Sequence, residues 1–199
     1  MTTRVQEKVC LQKEGTLREP RMRPLEKAML RHAVFDPADK VLDANVCSGQ
    51  VAEYLLRNMD CQVCGVSDRM EEVRRTRARM YGGDFVYAAV GDIPWQENTF
   101  DTVLLHPAEG GQEALRAQLK ESSRVLKPGG QLVLGLKSVP ASLQRIGQLF
   151  WENLSDEEPF PGVPAAQEAM EACRFEHISH IRAGLNGHVL IGWKSKAEA

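Results

Sequence analysis

The chain has 199 residues, 43% hydrophobic and 26% charged, with a net charge of −2. These values lie near globular averages, which excludes wholesale disorder and any overall attraction to nucleic acid or anionic membrane. The length suits a single domain over residues 1–199.

Residues 1–20 are polar and weakly periodic, and read as a loose arm. The opening MTTRVQEKVC has no apolar stretch of the kind a secretory signal needs, and no run approaches the ~18 apolar residues of a membrane span. A cytoplasmic protein without a membrane segment is expected. Five cysteines fit a reducing compartment better than a disulfide scaffold. Residues 1–35 hold eight Lys/Arg against four Glu, a local excess that reads as a solvated face. Pro24 suits the first turn of a helix running to about His32, with Leu25, Ala28 and Met29 on its inner side. DPADK then breaks the chain.

Strands and helices alternate from there. Val41 to Asp43 is a short strand, and Val51, Leu55 and Met59 have helical spacing over 49–59. Val63 to Val66 is a strand. Cys61 and Cys64 form a CxxC, but residues three apart in a strand face opposite sides and no second pair sits at zinc spacing. No metal site is expected. A helix at 70–80 carries most of the Arg-rich stretch from Arg69 to Met80, again a solvated face. Strands follow at 85–90 and 102–105. A helix at 111–126 has Leu115, Leu119 and Leu126 on one side, and KPGG stops it. Leu132 to Leu136 is a fifth strand. The runs at 102–105 and 132–136 are continuously apolar, as in strands covered on both faces.

The last third changes character. Leu143, Ile146 and Phe150 give an amphipathic stretch ending at Trp151, and a Pro-rich loop, EEPFPGVP, follows. A helix at about 165–173 leads to apolar runs at 175–181 and 188–193, separated by Asn186-Gly187, a strong hairpin signal. The last strand is therefore expected to be antiparallel. The fold class is α/β: a Rossmann-like, open, mostly parallel seven-stranded sheet, helices on both faces, and an antiparallel C-terminal strand.

Four stretches, KVLDANVCSG, VCGVSDRMEEVRRTR, VGDIPWQENTFDTVLL and SRVLKPGGQLVLGL, occur in order. Together they resemble class I S-adenosylmethionine-dependent methyltransferases, nearest the ubiquinone/menaquinone-biosynthesis type. The resemblance covers about residues 35–136. It implies strand seven inserted beside strand five, S-adenosylmethionine as cofactor, and a small-molecule methyl acceptor. It also implies that residues 137–165 cover the substrate.

The same resemblance places candidate residues at the carboxyl ends of the strands, where open parallel sheets bind ligands. Asp43 would lie near the cofactor's amino group. Asn45, Cys47 and Gly49 stand where the family has three glycines. Asn tolerates the left-handed backbone that such a turn needs, whereas the Cys47 side chain must point either away from the cofactor or into its place. Ser48 suits the N-cap of the next helix, whose N–H groups at 48–50 would receive the methionine carboxylate. Ser67 replaces the acid that usually binds the ribose, and Asp68 can serve only if the strand has already turned. Asp92 and Ile93 match the adenine contacts. His106, at the end of the fourth strand, is placed to remove a proton from an oxygen or nitrogen nucleophile.

Two other functional classes are set against methyl transfer. A nicotinamide oxidoreductase needs GxGxxG after the first strand, and NVCSGQ does not supply it. A methyltransferase-like fold that binds a partner or metabolite without chemistry accounts for the shared departures at 45, 47 and 67.

Overall fold

A computed structural model describes residues 22–106, 111–137 and 162–196. The expected N-terminal arm, the amphipathic stretch at 141–151 and most of the substrate-covering segment lie outside the described residues.

Helix α1 (Pro24–His32) leads to β1 (Lys40–Ala44), α2 (Gln50–Asn58), β2 (Gln62–Ser67), α3 (Met70–Arg79) and β3 (Asp84–Tyr87). Then come β4 (Phe100–Leu105), α4 (Gly111–Val125), β5 (Leu126–Lys137), α5 (Val163–Ala172), β6 (Phe175–Ala183) and β7 (Gly187–Lys194). The seven strands form one sheet in the order β3-β2-β1-β4-β5-β7-β6. Strands β1 to β5 pair in parallel, and β7 is antiparallel to both β5 and β6. The expected insertion of strand seven beside strand five is what forms.

Strand alternation sends consecutive side chains into separate cores. Leu42, Val103, Leu105, Leu132 and Leu134 pack with Leu115 and Leu119 of α4 and Met170 of α5. Val41, Leu104 and Val133 pack on the other face with Met29 of α1, Leu55 of α2 and Val73 of α3. Burial on both faces explains the continuous apolar runs. Cys64 joins the first core and Cys61 packs against the second, so the CxxC straddles the sheet.

Three local expectations need correction. The third strand stops at Tyr87 rather than Val90. Leu126 is not on the helix: KPGG lies within β5, which starts directly after α4. The break at the helix end survives, with Gly129 at φ 76°, but a bulge opposite Phe100 and Thr102 lets the ladder continue through it. In the terminal hairpin Ala183 pairs with Gly187, so residues 184–186 form a three-residue loop. Its left-handed residue is Gly184, at φ 71°, and not Gly187 of the Asn-Gly pair.

Strand order reverses between β1 and β4. The Ala44 carbonyl accepts from the His106 N–H at 3.1 Å, so the two strands part just beyond that bond. A crevice at this reversal is where open α/β sheets take ligands.

Candidate functional site

The turn after β1 is built from two left-handed residues, Asn45 and Gly49, both at φ 69°. Asn45 thus supplies the backbone that the sequence pattern required of it. Val46 anchors the turn inward, its N–H donating to the Val66 carbonyl at 2.9 Å. Gly49 is the N-cap of α2, so Ser48, the expected cap, lies one position outside and is exposed. The physical reason is packing against α3. A Cβ at Gly49 would come within 2.6 Å of Met80 Cε and 2.9 Å of Thr76 Oγ1. The one retained glycine of the loop is thus required by its backbone angle and by packing against α3.

The thiol of Cys47 turns back toward its own loop and donates to the Asn45 carbonyl at 3.3 Å. It still lines the crevice, together with Glu26, Asp43, Gly49, Gln50, Val51 and His106. Burial, followed by the Asp43 charge, raises its pKa, so it stays a thiol at neutral pH.

Asp43 is 2% exposed, and its Oδ1 has no hydrogen-bond partner among the described residues. Burial and then the nearby Glu26 carboxylate push its pKa up to about 7. His106, half-buried, lines the same crevice, and burial lowers its pKa to about 4, so the ring is neutral at physiological pH. The crevice is small and open to solvent on one side, with about 180 Å³ of space that includes part of that open solvent. It borders the N-terminal turn of α2 at Gln50 and Val51, where backbone N–H groups lack intrahelical partners.

The outer residues divide differently. Ser67 is fully buried, and its Oγ accepts from the Arg69 N–H at 3.2 Å, closing a local turn. Asp68 lies beyond the last strand residue and is exposed, so the strand has turned before it. Asp92 is exposed as well. Ile93 is not on the crevice: it is 2% exposed in the core of α4 and α5, and its N–H donates to Glu121 Oε2 at 2.9 Å. An apolar side chain in a loop proved more useful to the core than to a surface.

Sequence patterns missed two groups. Arg124 holds the 92–95 loop, donating to the Ile93 carbonyl at 2.7 Å and the Trp95 carbonyl at 2.8 Å while paired with Glu121. Glu26 of α1, paired with Arg23, lines the crevice. An acid and a base three residues apart at a helix start carry no local signal of which strand end they will meet.

Residues 42–134, just under half of the chain, match a family model described as a methyltransferase domain. Among curated relatives, a 27-O-demethylrifamycin SV methyltransferase of Amycolatopsis mediterranei is 30% identical over 53% of this chain and 42% of that protein. A demethylmenaquinone methyltransferase of Thermotoga maritima is 27% identical over 62% of this chain and 55% of that protein. The chain thus spans about half the length of these relatives. The structure is similar to a crystal structure of a SAM-dependent methyltransferase from Methanosarcina mazei, with a TM-score of 0.68 and 18% identity. That likeness covers 84% of this chain and 97% of the other and bears on the fold alone.

Proposed function

Residues 42–134 match a methyltransferase domain, and from that premise we propose that the protein is a class I S-adenosylmethionine-dependent methyltransferase that binds this cofactor at the ends of β1 and β4. It transfers the methyl group to an oxygen, nitrogen or carbon nucleophile of a small molecule. The observation that carries this reading is the buried, unpartnered Oδ1 of Asp43 facing the crevice. A buried carboxylate oxygen without a partner is costly, and a cation arriving there would repair the deficit.

The residues fit the cofactor's polar groups. Asp43 suits its ammonium, and the first turn of α2 suits its carboxylate. Asp68, exposed past the end of β2, suits the ribose hydroxyls better than Ser67, whose oxygen serves its own turn. Asp92 suits the adenine amino group, and the apolar contact expected of Ile93 is dropped. The bound cofactor supplies an already activated methyl on its sulfonium. The protein's task is then to align the acceptor, an effect worth up to roughly 7–11 kcal/mol. His106, neutral on the crevice wall, accepts the proton that an oxygen or nitrogen nucleophile releases.

No helix among the described residues is long and apolar enough to cross a membrane. A cytoplasmic location and one domain over residues 1–199 complete the reading. The small crevice, lined by a Glu26 that pairs with Arg23, also favours a second reading, a binding module without chemistry. Calorimetric titration with S-adenosylmethionine and S-adenosylhomocysteine separates the two: methyl transfer requires binding of both. No heat and no thermal shift at millimolar ligand would sink it.

A further inference from the structure

Helix α1 lies outside the matched domain at 42–134, yet it supplies a second carboxylate to the crevice. Its position is fixed by packing. Met29 lies so close over Gly135 of β5 that any Cβ there would collide with its sulfur. The Val34 N–H donates to Gln131 Oε1 at 3.0 Å and fixes the exit from the helix. Glu26 is thereby held on the Asp43 side of the sheet, 3% exposed and lining the same crevice.

Its two oxygens are in different situations. Oε2 accepts from the Arg23 backbone N–H at 2.7 Å, a helix-capping contact. Oε1 is met by the Arg23 guanidinium, with Nε at 2.8 Å and Nη2 at 2.7 Å. The Arg23 side chain is 48% exposed, so this partner can swing into water while Glu26 cannot. Capping explains Oε2 but does not call for a charge beside Asp43. Asp43 Oδ1, buried and without a partner among the described residues, lines the same crevice and is the independent sign that this set can take a cation.

We propose that Glu26 is a further cofactor-binding residue: with Asp43 it grips the ligand's α-ammonium, which takes over Glu26 Oε1 from the Arg23 guanidinium. This deepens the methyltransferase reading and rests on it. Two carboxylates around one ammonium also select for ligands that carry this cation. A ligand with the same nucleoside but no amino-acid end gains nothing from Glu26.

The test is calorimetric titration of the full chain and its Glu26→Gln variant with S-adenosylhomocysteine and with methylthioadenosine, which lacks the amino-acid end. Gln keeps the cap and the shape, and removes the charge. The expected result is binding of S-adenosylhomocysteine weakened about tenfold or more, with methylthioadenosine unchanged. Equal S-adenosylhomocysteine affinity in the two proteins would overturn the proposal. So would a parallel loss of both ligands, since Glu26 would then only hold the fold. If the unaltered chain binds neither ligand, the methyltransferase reading itself fails and the proposal goes with it.

Discussion

The two ends of the sheet treat their acids in opposite ways. At the amino end, Asp101 of β4 is fully engaged: Lys127 Nζ lies 2.8 Å from each of its oxygens, and the Lys40 N–H donates to Oδ2 at 2.9 Å. At the carboxyl end, Asp43 of β1 is buried with one oxygen unpaired among the described residues, near a second carboxylate and a neutral imidazole. Both acids border the same parallel strands. One end is built for stability and the other keeps polar capacity in reserve, as expected where ligands bind beyond the strand ends.

The largest effect that would sharpen this contrast is on rate. His106→Gln should lower methyl transfer to an oxygen or nitrogen acceptor by about a hundredfold or more while leaving cofactor affinity unchanged. Because burial lowers its pKa to about 4, the acid limb of the pH–rate profile should lie near there and not near 6.5. Full turnover in the variant would remove His106 as the base.

Next come the two acids, compared directly. Asp43→Asn should weaken S-adenosylhomocysteine binding by tens of fold, a loss on the order of 2–3 kcal/mol. Asp101→Ala should leave binding alone and lower folding stability by about 1–2 kcal/mol, since its ion pair is partly exposed. The pH dependence supplies a sign. With a folded pKa of about 7 against an ordinary 3.8, Asp43 keeps a proton in the folded state that the unfolded chain has released. Its contribution to stability is full at low pH and declines as pH rises from about 4 to 7. His106, lowered from 6.5 to about 4, contributes stability above 6.5 that is lost as pH falls toward 4. The two contributions oppose each other in that window. Asp43→Asn should therefore make denaturation midpoints rise with pH between about 4 and 6.5, exposing the histidine slope. If Asp101→Ala weakened S-adenosylhomocysteine binding as much as Asp43→Asn, the two ends would not differ as described.

The smallest effect lies at β2. Asp68→Asn should weaken binding of S-adenosylhomocysteine several-fold, on the order of 1 kcal/mol, as an exposed acceptor is diluted by water. Ser67→Ala should do less to binding, because its hydroxyl serves the local turn. The reverse order would put the ribose on Ser67.

Element types and their order were legible because each follows from local periodicity. The 3.6 spacing of Val51, Leu55 and Met59 and the unbroken apolar run at 102–105 need no tertiary knowledge. The backbone at Asn45 was legible for the same reason, since a left-handed turn limits residue choice locally. Errors arose where a partner far along the chain decides. Gly49 rather than Ser48 caps α2 because Met80 and Thr76 press on it. Ile93 left the crevice because α4 and α5 offer it a core, and Glu121 takes its N–H.

The sequence by itself determined an alternating α/β chain, its doubly covered strands and the positions where strand ends would carry polar residues. It did so because periodicity and turn chemistry act within a few residues. Only the tertiary structure decided what those strand ends face. Burying Asp43, turning Asp68 outward and bringing Glu26 of α1 over the β1–β4 reversal all depend on contacts between distant segments. Local pattern carries no record of which helix will close over which strand. Close packing at Gly135 and Gly49 settles that, and with it the charge of the site.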